Sequence, residues 1–449
     1  MMTDLKSEAK KSSSTRFSRR TILKTASAAG AFLAAPSLIP AKALGKNGAV
    51  PPSDKVVLGG LGIGGRGSYD LRRLMQEPDV ICVAACDPQK SRLEQTKQLI
   101  DSRYENSDCA TYRDIREYLA ERTDIDALLI TTGDRWHALA SIMAMRAGKD
   151  VYSEKPSSMT IAEGQGVVDT AQRYCRVYQS GMQRLSEANF TFANELLRLG
   201  RLGEVRTVRA HIAPWDAAKM SFDWRPGEPE PPIEETDWDA WLGPCPWRPY
   251  HSQYCKGGWR GYYDFHTSCI GEWGAHTFAQ CQVAIGAADT SAIDYGYVDN
   301  ESGDGMVTKF ANGVNMILER DLEKKYWHGS CGVRYEGTEG WVAIADGYEK
   351  PEVSNPALLA DFDKIVNEYS ERTLRPMNHW RNFVDCIKNR RSAVANPVVM
   401  HRSMTTVHAA NICMWLLRDM KFDPIKEEFL DDAEANRLRS RAMREPWII

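Results

Sequence analysis

Lys55-Val56-Val57-Leu58-Gly59-Gly60-Leu61 runs directly into Gly62-Ile63-Gly64-Gly65-Arg66-Gly67, and a helix-like pattern from Tyr69 to Gln76 follows. A short apolar run that ends in glycines reads as a buried strand, so the glycines fall on a strand-to-helix turn. In the spacing GxGxxG, Gly62 permits the tight turn, Gly64 lets the backbone approach a pyrophosphate, and Gly67 allows the helix to pack closely on the strand. The helix N-terminus then presents unpaired N–H groups and a positive dipole end to phosphates. An acid, Asp87, stands twenty residues beyond Gly67, at the end of a second strand pattern, Val80 to Cys86. A carboxylate there accepts hydrogen bonds from a ribose diol. Gly62, Ile63, Gly64, Gly65, Arg66, Gly67 and Asp87 are therefore expected to hold a dinucleotide. The charge of Asp87 would repel a 2'-phosphate, which favours NAD, while Lys90 and Arg92 leave NADP open.

Outward from this turn, strand patterns at Ala127 to Thr131, Asp150 to Ser153 and Val177 to Ser180 alternate with helical ones at Trp136 to Ala147 and Ile161 to Arg173. Strands separated by crossover helices predict an α/β fold, an N-terminal Rossmann doubly wound parallel sheet over residues 54–185. Beyond Val205 the pattern changes. Val205 to Ile212, Ala292 to Val298, Met306 to Phe310, Val314 to Leu318, Gly332 to Gly337 and Gly340 to Ala345 follow one another with few helices between them. That predicts a C-terminal α+β domain, residues 186–449, with a mostly antiparallel sheet and helices at Asn378 to Lys388 and Ser403 to Leu417. Residues 214–262 form an insertion holding six of the thirteen tryptophans and eight of the twenty-one prolines. So aromatic a stretch reads either as a lid or carbohydrate platform or as a loop pinned to the surface.

The first 43 residues read differently. Ser18-Arg19-Arg20-Thr21-Ile22-Leu23-Lys24 precedes a small apolar run to Pro40 and the small-x-small site Ala41-Lys42-Ala43. This is the pattern of a twin-arginine (Tat) export signal, with residues 44–53 as a linker and a periplasmic or otherwise exported product. No later segment reaches the roughly eighteen apolar residues of a membrane span. With 43% hydrophobic and 26% charged residues and a net charge of −3, the 449-residue chain carries no basic excess that would suit nucleic acid. Its eleven cysteines contain no CxxC pair, and Cys245 with Cys255 is the pair worth testing for a bridge.

Glu154-Lys155-Pro156, directly after the Asp150 to Ser153 strand, resembles the E-K-P motif of the Gfo/Idh/MocA oxidoreductases. Trp136-His137-Ala138, Gln179-Ser180-Gly181-Met182-Gln183-Arg184 and Gly271-Glu272-Trp273-Gly274-Ala275-His276 are similar to further motifs of that family. Tyr335 to Gly340 and Arg444-Glu445-Pro446-Trp447 resemble its exported bacterial subgroup. The resemblance covers nearly all of the chain after the leader. It implies that Lys155 reaches both cofactor and substrate, that a cis peptide precedes Pro156, and that Trp136, His137, Glu154, Lys155 and Gln183 join the cofactor site. It also implies a homo-oligomer formed through the second-domain sheet. Oxidising an alcohol requires removal of the hydroxyl proton as hydride leaves, which suits histidine, and His276 takes that role. Glu272, four residues earlier and on the same face of a helix, stands where the family usually has Asp. The separations of His266, Glu272 and His276 match no zinc pattern, so no metal is expected. His401 and His408 are expected to be packed or hydrogen-bonded and lie outside the site.

An exported dehydrogenase has no expected pool of free nicotinamide, so the cofactor should load during folding and stay bound. Two chemistries satisfy that condition: oxidation of a sugar or polyol CH–OH group with reduction of a second carbonyl compound by the same bound nicotinamide, ranked first, and redox-neutral glycoside hydrolysis through a transient ketone. A binding protein without turnover would be expected to lack Lys155 or His276, and both are present.

Overall fold

The structure, a computed structural model, describes residues 50–212, 220–297, 304–319 and 331–449. The export signal and most of the linker lie outside the described residues. The chain divides into two units, Met1–Asp54 and Lys55–Ile449. Of the first, the structure describes one short 3-10 turn, Pro52–Asp54. Everything below concerns the second, which contains two lobes.

The first lobe is a six-stranded parallel sheet of β1 (Val56–Leu61), β2 (Val80–Cys86), β3 (Ala110–Tyr112), β4 (Ala127–Ile130), β5 (Asp150–Ser153) and β6 (Tyr178–Ser180), ordered β3-β2-β1-β4-β5-β6. Crossover helices α1 (Gly65–Leu74), α2 (Lys90–Tyr104), α3 (Ile115–Glu121), α4 (Asp134–Arg146) and α5 (Ile161–Arg173) connect them. The parallel register aligns the strand ends: Leu61 pairs with Cys86 and with Ile130, Ile130 with Ser153, and Ser153 with Ser180. Gly62, Asp87, Thr131, Glu154 and Gly181 therefore emerge together at the C-terminal edge, where ligands of such sheets bind. β3, α2 and α3 escape the sequence reading. α2 buries only Leu93, Thr96 and Ile100, too sparse a set to stand out as an amphipathic stripe.

α6 (Ala188–Arg198) leads into the second lobe. Its sheet contains β7 (Val205–His211), α7 (Trp238–Leu242) and α8 (Ala275–Ala284) intervening before β8 (Asp294–Tyr297), β9 (Asp304–Lys309), β10 (Asn315–Glu319), β11 (Val333–Gly337), β12 (Trp341–Ile344) and β13 (Glu352–Val353). After α9 (Phe362–Thr373), α10 (His379–Asn389) and α11 (Pro397–Leu416) come β14 (Met420–Asp423), β15 (Glu428–Phe429) and the short α12 (Ala433–Arg437). The strand order is β13-β12-β11-β7-β10-β9-β8-β14-β15, antiparallel except for the β10–β7 pair. Val208, Ala210, Met306, Met316, Val333 and Tyr335 face α8 and α11 in one apolar core. Burying such side chains is worth about 2 kcal/mol each and fixes the face on which these helices sit.

Two elements from the C-terminal half return to the first lobe. Trp380, Phe383, Val384 and Ile387 of α10 complete the core under β1 and β2, and Trp447 packs beneath α4. Among the described residues no helix is long and apolar enough to cross a membrane. All eleven cysteines are free, Cys245 and Cys255 included.

Candidate active site

A cleft of about 720 Å³ runs from the glycine turn, past the C-terminal edge of the parallel sheet, to the helix that carries His276. Gly62 has φ +68°, the left-handed turn that glycine adopts without strain. A Cβ on Gly67 would stand 2.0 Å from Thr131 Oγ1, so the first turn of α1 packs against β4 only because that position is glycine. A Cβ on Gly64 or Gly65 would meet nothing within 4 Å. These two border open space at the helix N-terminus, which is the cradle a pyrophosphate requires. Ile63 differs from the other turn residues: its side chain packs into the core and leaves only its backbone for the phosphates.

Asp87 is buried at the end of β2 and lines the same cleft. Its Oδ1 accepts a hydrogen bond from the Gln89 N–H at 2.8 Å. Burial pushes its carboxyl up to about 7, against the pull of Arg92, Arg135 and Arg113. Lys90 turns away and pairs with Glu235 at 3.1 Å. The open glycine cradle, the helix N-terminus and an acid at the end of β2 together fit a dinucleotide.

Beyond the cradle, Arg66 Nε bridges Asp70 Oδ2 at 3.1 Å and Glu154 Oε1 at 3.4 Å. Gln183 donates to Glu154 Oε1 at 2.8 Å and lies 2.9 Å from the Tyr152 hydroxyl. Burial and the neighbouring Glu154 raise the Asp70 carboxyl to about 9, while Arg66 and Lys155 outweigh burial and hold Glu154 ionised. The peptide between Lys155 and Pro156 is cis. The His137 ring lies 2.7 Å from the Pro156 carbonyl and 3.0 Å from that of Thr132, which braces this turn from below. Trp136, also at the cleft, donates to the Trp241 carbonyl at 3.3 Å.

The second lobe supplies the opposite wall. Glu272 lies in a π-helical turn, Ile270–Gly274, that runs into α8, where His276 occupies the second position. The four-residue spacing thus spans a wider turn than the α-helix expected from sequence, a feature common at functional sites. Lys155 Nζ donates to the Glu272 backbone carbonyl at 2.8 Å and lies 5.3 Å from the Trp273 ring centre. The Glu272 carboxylate is held by Arg260 Nε at 3.0 Å and His266 Nε2 at 3.0 Å. Burial opposes its ionisation, but the His266 hydrogen bond and the charges of Lys155 and Arg260 bring it down to about 2. His266 Nδ1 accepts from the Gly261 N–H at 3.1 Å, which leaves its Nε2–H to donate to Glu272. His276 is 4% exposed and its Nδ1 has no hydrogen-bond partner among the described residues. Burial, then the charges of Arg184, Lys155 and Arg66, keep its imidazole neutral well below the usual range.

Lys155, Glu272, His276 and the dinucleotide residues other than Ile63 therefore line one cleft. The sequence alone does not point to Arg260 or Arg135, which join the cleft, nor to the part His266 plays in holding Glu272 or Trp447 in lining the cleft. His401 and His408 lie elsewhere, bonded to Glu427 at 2.6 Å and Ser158 at 3.1 Å.

Residues 55–182 match the family model "Oxidoreductase family, NAD-binding Rossmann fold", and residues 217–449 match the C-terminal alpha/beta domain model of the same family. The chain belongs to the Gfo/Idh/MocA oxidoreductase family. Its structure resembles the WlbA dehydrogenase from Chromobacterium violaceum, solved with NADH and UDP-GlcNAcA (TM-score 0.59, 16% identity, 82% of this chain and 96% of that one). It also resembles myo-inositol 2-dehydrogenase from Lactobacillus plantarum (TM-score 0.56, 16% identity, 82% and 100%). Curated relatives include a glycosyl hydrolase family 109 protein of Shewanella pealeana, 34% identical over 176 residues (35% of this chain), and an alpha-N-acetylgalactosaminidase of Bacteroides fragilis, 32% identical over 124 residues (27% of this chain). The chain spans 38% and 29% of the length of these two relatives.

Proposed function

We propose that the protein is an NAD(P)-dependent oxidoreductase, NAD being preferred, that keeps its cofactor bound, takes hydride from a CH–OH carbon of a sugar or polyol and passes it to a second carbonyl compound. The observation that carries this reading is the meeting of two sets of residues in one cleft: the dinucleotide cradle from the first lobe, and Lys155 with His276 at the junction with the second. When bound, the nicotinamide supplies the hydride acceptor. The protein supplies the rest. His276, neutral at physiological pH, takes the hydroxyl proton. Lys155, pinned by the Glu272 carbonyl, orients the substrate oxygen and favours the developing alkoxide. The ionised Glu272 accepts a neighbouring hydroxyl, and its clamp by Arg260 and His266 sets the angle at which it does so.

A second reading has a specific observation in its favour, the glycosidase names of the curated relatives. In it, oxidation at a ring carbon acidifies the adjacent C–H, elimination expels the aglycone, water adds, and the hydride returns, so that the net reaction is hydrolysis. The same cleft residues serve its first step. Incubation of the loaded protein with an activated N-acetyl-α-galactosaminide separates the two: cleavage without net change in nicotinamide absorbance marks hydrolysis, and reduced nicotinamide formed from free sugars marks net oxidation. Neither response to any sugar, polyol or glycoside would overturn both.

Export by the twin-arginine route, with cofactor loading before translocation, completes the proposal, supported by the Ser18–Lys24 motif. Fractionation of cells that express the Arg19→Lys/Arg20→Lys precursor tests it: the protein should stay in the cytoplasm. Self-association through the nine-stranded sheet is part of the same reading, and light scattering tests it.

A further inference from the structure

The described part of the Trp-rich insertion is packed onto the body of the protein, with Trp259 and Arg260 reaching the Glu272 end of the cleft. Trp238, Trp241, Leu242, Cys245, Tyr254 and Phe265 give it a small core of its own. One edge of it is fastened to the loop that directly follows Asp87. The Lys90 N–H donates to the Glu235 carbonyl at 3.0 Å, the Asp237 N–H donates to the Pro88 carbonyl at 3.1 Å, and Gln89 and Thr236 form an antiparallel bridge. Its middle sits on α4, where Arg135 Nε and Nη2 donate to the Trp241 carbonyl at 3.0 and 2.8 Å and the guanidinium lies 3.5 Å from the Trp241 ring centre. Gly243, with φ +56°, lies so close to Trp136 that a Cβ would come within 2.3 Å of the indole. The far end is held by Arg444, which donates to the carbonyls of Gly243 and Asp239 at 3.0 Å. Ala240, Trp241, Tyr254 and Cys255 thereby form a wall of the cleft facing Asp87 and Arg113.

We infer that residues 235–245 are a strap that closes the adenosine half of the dinucleotide site and sets how slowly the cofactor leaves. The inference rests on the dinucleotide reading of the cleft and adds the means of retention. A ligand whose ribose reaches Asp87 lies beneath the joined loop and strap, against Ala240 and Trp241, so widening this end of the cleft requires breaking the backbone hydrogen bonds that join them. Opening of such a segment is a local unfolding event, and its free energy adds to the barrier for dissociation.

Hydrogen exchange on the full-length wild-type protein, with and without NADH, tests this. NADH should slow amide exchange both at 62–68 and at 235–243. Gly243→Ala and Arg444→Met, neither of which lines the cleft, should each raise the NADH dissociation rate by about tenfold or more, the loss expected from one or two anchoring contacts. Protection at 62–68 alone, together with unchanged dissociation rates in the folded variants, would overturn the strap and leave the cofactor reading intact. No protection at either segment would overturn both.

Discussion

Lys155 Nζ donates to the backbone carbonyl of Glu272 at 2.8 Å, which ties the turn after the fifth parallel strand to the helical turn that leads into His276 in the other lobe. In the proposed function this contact joins the two walls of the cleft at the reacting end. Lys155→Ala and His276→Ala should each lower kcat by about a hundredfold or more while NAD binding survives, because positioning and proton transfer act in the transition state. Steady-state kinetics with a calorimetric NAD titration checks this, and unchanged kcat in either variant contradicts the assignment.

The pH profile follows from His276. Its conjugate acid is held well below 6.5, first by burial and then by the nearby arginines and Lys155, so it must stay an acceptor as pH falls through the usual histidine range. The acid limb of kcat/KM should therefore lie well below pH 6.5. A limb at or above that value would mean that another group takes the proton.

Asp87 gives the opposite sign. Burial raises its carboxyl to about 7, so below that pH it is protonated and loses charge as a ribose acceptor. NAD affinity should increase as pH rises through about 7, and the dependence should flatten in Asp87→Asn. Asp87→Ser should weaken NAD more than NADP. Equal loss of both would place Asp87 away from the ribose.

The glycines separate folding from binding. Gly67→Ala drives a methyl group into Thr131 and should lower stability by about 1–3 kcal/mol, the usual cost of overpacking. Gly64→Ala meets only open space, so it should leave the melting temperature nearly unchanged yet weaken NADH binding. Thermal unfolding paired with NADH fluorescence titration reads both, and full NADH affinity in Gly64→Ala would contradict the cradle.

Much of this site is legible in the amino-acid sequence, for local reasons. Gly62 to Gly67 and Asp87 advertise themselves because a strand, a tight turn and a helix start impose fixed residue types at fixed spacing. Lys155 and His276 stand out through motif resemblance, and the register of β1, β4 and β5 explains why Lys155 falls beside the glycine turn. What the sequence does not carry are contacts made across long separations. Arg260 and His266 clamp Glu272 only because the insertion folds back on the cleft, and Trp241 meets Arg135 more than a hundred residues away. No local periodicity encodes such pairings. The weak α2 pattern and the three-residue β3 show the same limit within the fold, since few of their side chains are buried.

In the proposed function a carbohydrate C–H gives its hydride to a nicotinamide held in this cleft. The most direct test is a single-turnover experiment in which NAD-loaded protein is mixed with sugars, polyols or glycosides deuterated at their ring and carbinol carbons, followed by mass analysis of the nicotinamide released on denaturation. Deuterium in the nicotinamide, arriving about a hundredfold or more slowly in His276→Ala, is the predicted result. Fully loaded protein that cleaves or oxidises its substrate with no label ever reaching the nicotinamide would contradict the account.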